Sequence, residues 1–158
     1  MAVEIKTGFT PEQRGELAAG LTKLLADTYA LYLKTHGYHW NVRGANFSTL
    51  HTLFMEQYTE MWQALDELAE RIRALGEFAP QGYAAFANLT SIRDGDPEKS
   101  ADKMVEELMR DHETLIATAR AVFREAEEDD PVTADIITER LTIHEKHAWM
   151  LRATLGGR

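Results

Sequence analysis

A chain of 158 residues with 44% apolar and 27% charged side chains can bury one core of its own and has the make-up of an ordinary globular domain. It has no cysteine, which excludes disulfides, thiolate metal sites and thiol nucleophiles, and leaves only nitrogen and oxygen ligands for any metal. The net charge of −9 is unevenly placed: Asp94–Asp130 carries 13 acidic and 5 basic side chains, either a plain solvated face or a surface that attracts cations and repels nucleic acid.

The first residues, MAVEIKTGF, lack a basic stretch followed by an apolar one, so no secretory signal is visible. The longest uncharged stretch, Phe78–Ile92, is interrupted by Pro80, Gln81, Gly82, Asn88 and Ser91 and reads as no membrane span. A cytoplasmic, soluble protein without a membrane partner is the expectation. Thr10-Pro11-Glu12 reads as an N-cap with proline at the first helical position. From there Leu17, Leu21, Leu24, Leu25, Leu31 and Tyr32 recur at helical spacing to about Val42. Gly44 is the stop, and Asn46 or Ser48 can cap a second helix from about Phe47 to Leu75. Residues Phe78–Gly95 read as a long connection with one short helix near Tyr83–Ala87. A third long helix is expected over Glu98–Glu127 and a fourth from Pro131 to about Leu155. The fold class is therefore all-α: one domain over residues 1–158, a four-helix bundle whose long link joins two parallel helices.

The second helix carries two stripes. Leu50, Phe54, Met61, Leu65, Leu68, Ile72 and Leu75 form one, which suffices for packing in a bundle. His51, Met55, Tyr58, Trp62 and Asp66 form another, displaced by roughly 100°. An aromatic and Met-bearing second face suits burial against another subunit, the alternative being a wide-faced central helix in a monomer.

His39 and His51 each stand six residues from Ala45 at the first turn, so antiparallel helices set them at one height, where they converge on a metal or stay merely exposed. Asp66 and Glu70 share a face of the second helix, either as ligands or as a solvated or salt-bridged pair, with Arg71 and Arg73 close by. His51 and Asp66 are 15 residues apart, about 22 Å along a helix, too far for one ion. Two copies whose second helices cross antiparallel at a two-fold axis would join the histidines of one to the carboxylates of the other. Diiron bundles carry Glu-x-x-His motifs inside each bundle. The residues three before the six histidines are Leu33, His36, Ser48, Met109, Leu141 and His144, none of them glutamate, so such an internal centre is not expected.

The stretch His36–Arg71 resembles the Dps family, the DNA-protection-during-starvation mini-ferritins, through His39-Trp40-Asn41-Val42, Gly44, Phe47, His51, Asp66 and Ala69-Glu70-Arg71-Ile72. The resemblance implies a ferritin-like bundle assembled into a homo-oligomeric shell of twelve subunits. It implies ferroxidase centres at two-fold interfaces, with His39, His51, Asp66 and Glu70 as catalytic and metal-binding residues. Ferrous iron would be oxidised there, preferentially by hydrogen peroxide and otherwise by dioxygen, and stored as ferric mineral, protecting against oxidative damage. Trp40 would be a sink for stray oxidising equivalents, besides packing at the hairpin. Asp130, Asp135 and Glu139 match the spacing at which relatives line a three-fold pore for iron. Zinc also suits the nitrogen–oxygen ligand set.

Two departures stand out. Many relatives have an acidic ligand four residues after His51, whereas this chain has Met55, a poor ligand for hard iron, so one firmly held metal per centre is expected. The basic tails of strong DNA binders are missing: Lys6 is the only cation before the first helix and Arg158 the only one after the last, so DNA binding should be weak or absent. The rival readings are a DNA-compacting protein with little ferroxidase activity and a structural bundle with adventitious zinc. His36 could assist His39; His144 and His147 are either a surface metal pair or interface histidines; His112 has no evident partner, and none of these four is assigned a function.

Overall fold

A computed structural model describes residues 3–158 of the chain. Five helices follow in order: α1 Pro11–Asn41, α2 Phe47–Ala74, α3 Tyr83–Leu89, α4 Ala101–Ala126 and α5 Pro131–Thr154. Among the described residues there is no strand, and no helix is long and apolar enough to cross a membrane.

Local chemistry sets the helix ends. The Thr10 side chain accepts from the Gln13 amide while the Gln13 side chain accepts from the Thr10 amide, a reciprocal cap with Pro11 as the first helical residue. Val42 leaves α1 in extended geometry and Gly44 takes φ +115°, which an L side chain resists, so the hairpin to α2 closes within residues 42–46. Asn46 occupies the N-cap position of α2 without a side-chain hydrogen bond. The α4 helix starts at Ala101, three residues later than the sequence suggests, because the Ser100 hydroxyl accepts from the Lys103 amide and caps it there.

The apolar stripe of α2 is buried along its whole length and meets Leu21, Leu24 and Leu31 of α1, and Leu108, Leu115 and Val122 of α4, in one core. The connection at 75–100 runs back along α1. Gly76 lies against Arg14, Asp27 receives Thr90 and Ser91, and Tyr38 receives Asp96. From Arg14 to Tyr38 is 24 residues, about 36 Å of helix, so α4 begins at the end of the bundle where α2 began and the two run parallel. Two anchors hold this strap. Asp27 is fully buried and accepts from the Thr90 hydroxyl (2.9 Å), the Ser91 amide (2.6 Å) and the Thr118 hydroxyl of α4 (2.8 Å). At the far end Gly95 sits so close to the Tyr38 ring that a β-carbon would lie 2.7 Å from it.

Glu107 ties α4 to the same end of α1, accepting from Tyr38 and Lys99 and facing Lys34 at 3.4 Å. Burial acts to raise its carboxyl, but those two hydrogen bonds and the Lys34 charge outweigh it and bring it down to about 2.

Candidate metal centre

The short 42–46 turn brings His39 at the end of α1 against His51 in the second turn of α2. Their rings stack with centroids 3.7 Å apart and planes at 20°. His39 Nδ1 lies 2.6 Å from the His51 carbonyl oxygen, and His51 Nδ1 lies 2.8 Å from the His39 carbonyl oxygen. A carbonyl only accepts, so each Nδ1 carries a proton and donates it. That reciprocal clasp leaves the neutral-ring lone pair of each histidine on Nε2, the atom free to take a metal.

Aromatic rings flank the clasp. His36, one turn before His39, stacks on Tyr58 of α2 at 4.1 Å and meets the Trp40 ring at 4.1 Å with the planes tilted by 43°. Burial, and then the neighbouring His39, hold His36 below its ordinary value. Trp40 is 65% exposed, so its indole is largely uncovered in the single chain. Along the second stripe of α2, Met55 and Trp62 are exposed, His51 and Tyr58 are partly covered, and Asp66 is exposed.

Asp66 and Glu70 lie on the outside of α2, and among the described residues neither is hydrogen-bonded or ion-paired. The arginines beside them are engaged elsewhere. Arg71 reaches across to α5 and donates to Asp130 (2.7 Å) and to the Thr133 hydroxyl (2.9 Å). Arg73 donates to the Glu77 carbonyl and lies over the Phe78 ring. Among the described residues, then, the pair is not salt-bridged to these arginines and stands exposed to solvent. The chain itself does not join the two carboxylates to the two histidines, as the helix length requires.

The acidic residues near the α4–α5 turn divide. Asp135 and Glu139 are exposed on α5. Asp130 is only 1% exposed, caps α5 by accepting from the Thr133 amide and pairs with Arg71. Burial acts to raise its carboxyl, and the Thr133 and Arg71 hydrogen bonds overcome this and lower it. The charge of Asp130 is thus compensated inside the fold by Arg71 and Thr133.

A second histidine group lies in the bundle interior; the sequence pairs His144 with His147 at most, offers His112 no partner and assigns none of the three a role. His112 of α4 and His144 of α5 are fully buried, with their Nδ1 atoms 2.9 Å apart. His147, one turn on, is partly buried, and the three offer ring nitrogens within 4.8 Å of one another. Arg140 donates to His144 Nε2 at 3.1 Å and binds both oxygens of Glu60 on α2. Burial first, and the Arg140 charge and neighbouring imidazoles after it, hold His112 and His144 far below the usual imidazole range; burial brings His147 down to about 4. The signal for this meeting was in the sequence, since His112 and His144 are equidistant from Glu128 at the α4–α5 turn, as His39 and His51 are from Ala45.

A family model for the ferritin-like domain matches residues 18–157. DNA protection during starvation protein 2 of Bacillus anthracis is 39% identical over 137 residues, covering 86% of this chain and 94% of that protein. A low temperature-induced protein of Nostoc is 40% identical over 157 residues, covering 97% of this chain and 87% of that one. Among solved structures, a Dps protein from Bacillus brevis superposes with a TM-score of 0.89 at 36% identity, covering 93% of this chain and 99% of that one. A Dps protein from Vibrio cholerae, described as belonging to a broad superfamily of ferritin-like diiron-carboxylate proteins, superposes at 0.91 with 30% identity, covering 98% and 99%. With the bundle, the strap and the histidine hairpin all in place, the chain belongs to the Dps branch of the ferritin-like family.

Proposed function

We propose that this protein is an iron-oxidising and iron-storing shell protein that protects its cell against peroxide, working in the cytoplasm as a homo-oligomer of twelve subunits. The observation that carries the reading is the His39–His51 clasp. It fixes two Nε2 lone pairs beside a stripe of α2 that ends, at Asp66 and Glu70, in carboxylates with no cation of their own chain. A two-fold axis pairing antiparallel α2 helices would bury Tyr58 and Trp62 and bring Asp66 and Glu70 of one copy to the histidines of the other. The mixed nitrogen–oxygen set suits ferrous iron as substrate.

In the reaction, two ferrous ions supply the two electrons that cleave the peroxide O–O bond, so no hydroxyl radical is released. Hydrolysis of the ferric product to oxide-hydroxide frees protons to solvent. Asp66 and Glu70 stabilise the higher charge of the ferric state. The backbone carbonyls that receive both Nδ1 protons keep the rings from turning away. Met55 supplies no hard ligand, so one iron is held firmly and the second transiently. Trp40 beside His39 takes up stray oxidising equivalents. Asp135 and Glu139 are the residues of this chain left to draw ferrous ions through a three-fold opening, with Asp130 fixing the start of their helix.

The test adds anaerobic ferrous iron and then peroxide, followed by size-exclusion chromatography with light scattering and iron detection. The expected result is an iron core co-eluting with a shell near twelve times 17.9 kDa, absent in an intact His51→Ala shell. A wild-type shell that takes up no iron defeats the reading. DNA binding should be weak or absent: with −9 per subunit, little or no plasmid retardation is expected at physiological salt, and clear retardation would favour the DNA-compacting alternative.

A further inference from the structure

Hydrogen-bond logic assigns the protons in the interior histidine group. Arg140 has no acceptor atoms, so His144 Nε2 receives its hydrogen bond and His144 carries its proton on Nδ1. That Nδ1–H therefore donates to His112 Nδ1. His112 is left with its proton on Nε2, which has no partner although the residue is fully buried. His147 Nδ1 is buried without a partner as well. The three residues bring ring nitrogens within 4.8 Å of one another, and buried polar atoms are almost always satisfied, so the unpartnered His147 Nδ1 beside the His112–His144 pair calls for something that the protein atoms alone do not provide.

We propose that His112, His144 and His147 form a second metal site inside each bundle, taking a divalent cation of the zinc class and fastening α4 to α5. Three neutral imidazoles with no free carboxylate favour zinc over iron, because Glu60 is already bound through both oxygens to Arg140. The cation takes the place of the proton between His112 and His144. The His144 proton moves from Nδ1 to Nε2, the ring stays neutral, and Arg140 gives up that one contact while keeping Glu60. Two nitrogens about 2.05 Å from one tetrahedral ion stand roughly 3.3 Å apart, so the rings open by a few tenths of an ångström from 2.9 Å.

The experiment strips the assembled protein with a chelator, adds zinc chloride and measures zinc per chain in wild type, His51→Ala, His112→Gln and His147→Gln. Crystals of the zinc-soaked wild type are measured at the zinc edge. The expected result is a zinc ion retained in His51→Ala and an anomalous peak among His112, His144 and His147. In His147→Gln its affinity should fall by more than the roughly 10- to 100-fold that loss of an outer hydrogen-bond partner costs. Zinc lost wholly in His51→Ala, zinc binding indifferent to His147→Gln, or water in place of the anomalous peak overturns the proposal. Should either glutamine variant fail to assemble, the anomalous map of the wild type decides alone.

Discussion

His39 and His51 turn their Nδ1 protons onto each other's backbone carbonyls, whereas His144 turns its Nδ1 proton onto His112 Nδ1 and accepts from Arg140 at Nε2. In the first group the main chain fixes the rings and both Nε2 lone pairs stay free, close to the surface. In the second, side chains fix the rings in the buried interior and leave an N–H without an acceptor. Carboxylates complete the contrast. Those that would serve the first group, Asp66 and Glu70, stand unpaired on the outside of α2, while the one near the second, Glu60, is committed to Arg140. The first arrangement suits a hard ion that changes oxidation state and leaves. The second suits a borderline ion that stays.

The largest expected effect separates the groups by activity. His51→Ala should slow peroxide-driven ferric iron formation by roughly 100-fold or more, beyond the cost of losing an outer hydrogen-bond partner. His147→Gln should leave that rate within about twofold, a bound tight enough to register about 0.4 kcal/mol in the barrier. Stopped-flow absorbance of the ferric product reads both. Equal losses in the two variants would mean that the groups work as one centre and would dissolve the comparison.

Acid should separate them next, through stability. In chelator-stripped protein, His147 titrates at about 4 and His112 and His144 lower than their ordinary 6.5, so below 6.5 the unfolded chain binds protons that the folded chain refuses. Their neutral forms are accommodated above 6.5, and stability falls as pH drops from 6.5 toward 4, by up to roughly 1.4 kcal/mol per pH unit for each histidine. Thermal unfolding between pH 7 and pH 5 should show this slope in wild type and a shallower one in His147→Gln. The same slope in both would mean that His147 is protonated in the folded state.

Much of this architecture was legible in order of distance along the chain. The buried stripe of α2, the Thr10 cap and the meeting of His39 with His51 follow from spacing within a helix or across one short turn. The proposed assembly of the first site rests on a length argument alone, since a straight helix cannot bring Asp66 back to His51. What stayed hidden depends on partners far apart: Arg71 reaches Asp130 across 59 positions, which removes Asp130 from the acidic surface, and Arg140 reaches Glu60 across 80. His112 and His144 were within reach of the argument used for the first hairpin. They stand several helical turns from the α4–α5 loop, however, where a small crossing angle would already have separated them, so only the packed bundle decides that they touch.

The smallest effect concerns the position where this chain departs from many of its relatives. Met55 lies one turn beyond His51 on the same stripe of α2 and is 42% exposed, so a carboxylate there would face the same region without displacing core. Met55→Glu should convert the transient second iron into a firmly held one, because a hard anionic oxygen replaces a thioether. The gain in oxidation rate should be about tenfold, corresponding to about 1.4 kcal/mol in the barrier, with the added ferrous ion visible by titration under anaerobic conditions. The interior group should not respond, so the zinc content of the same variant serves as its control. If instead the rate is unchanged and no further iron binds, the second iron of this protein does not depend on a ligand from that turn, and the weak side of the centre lies with Asp66 and Glu70 across the interface.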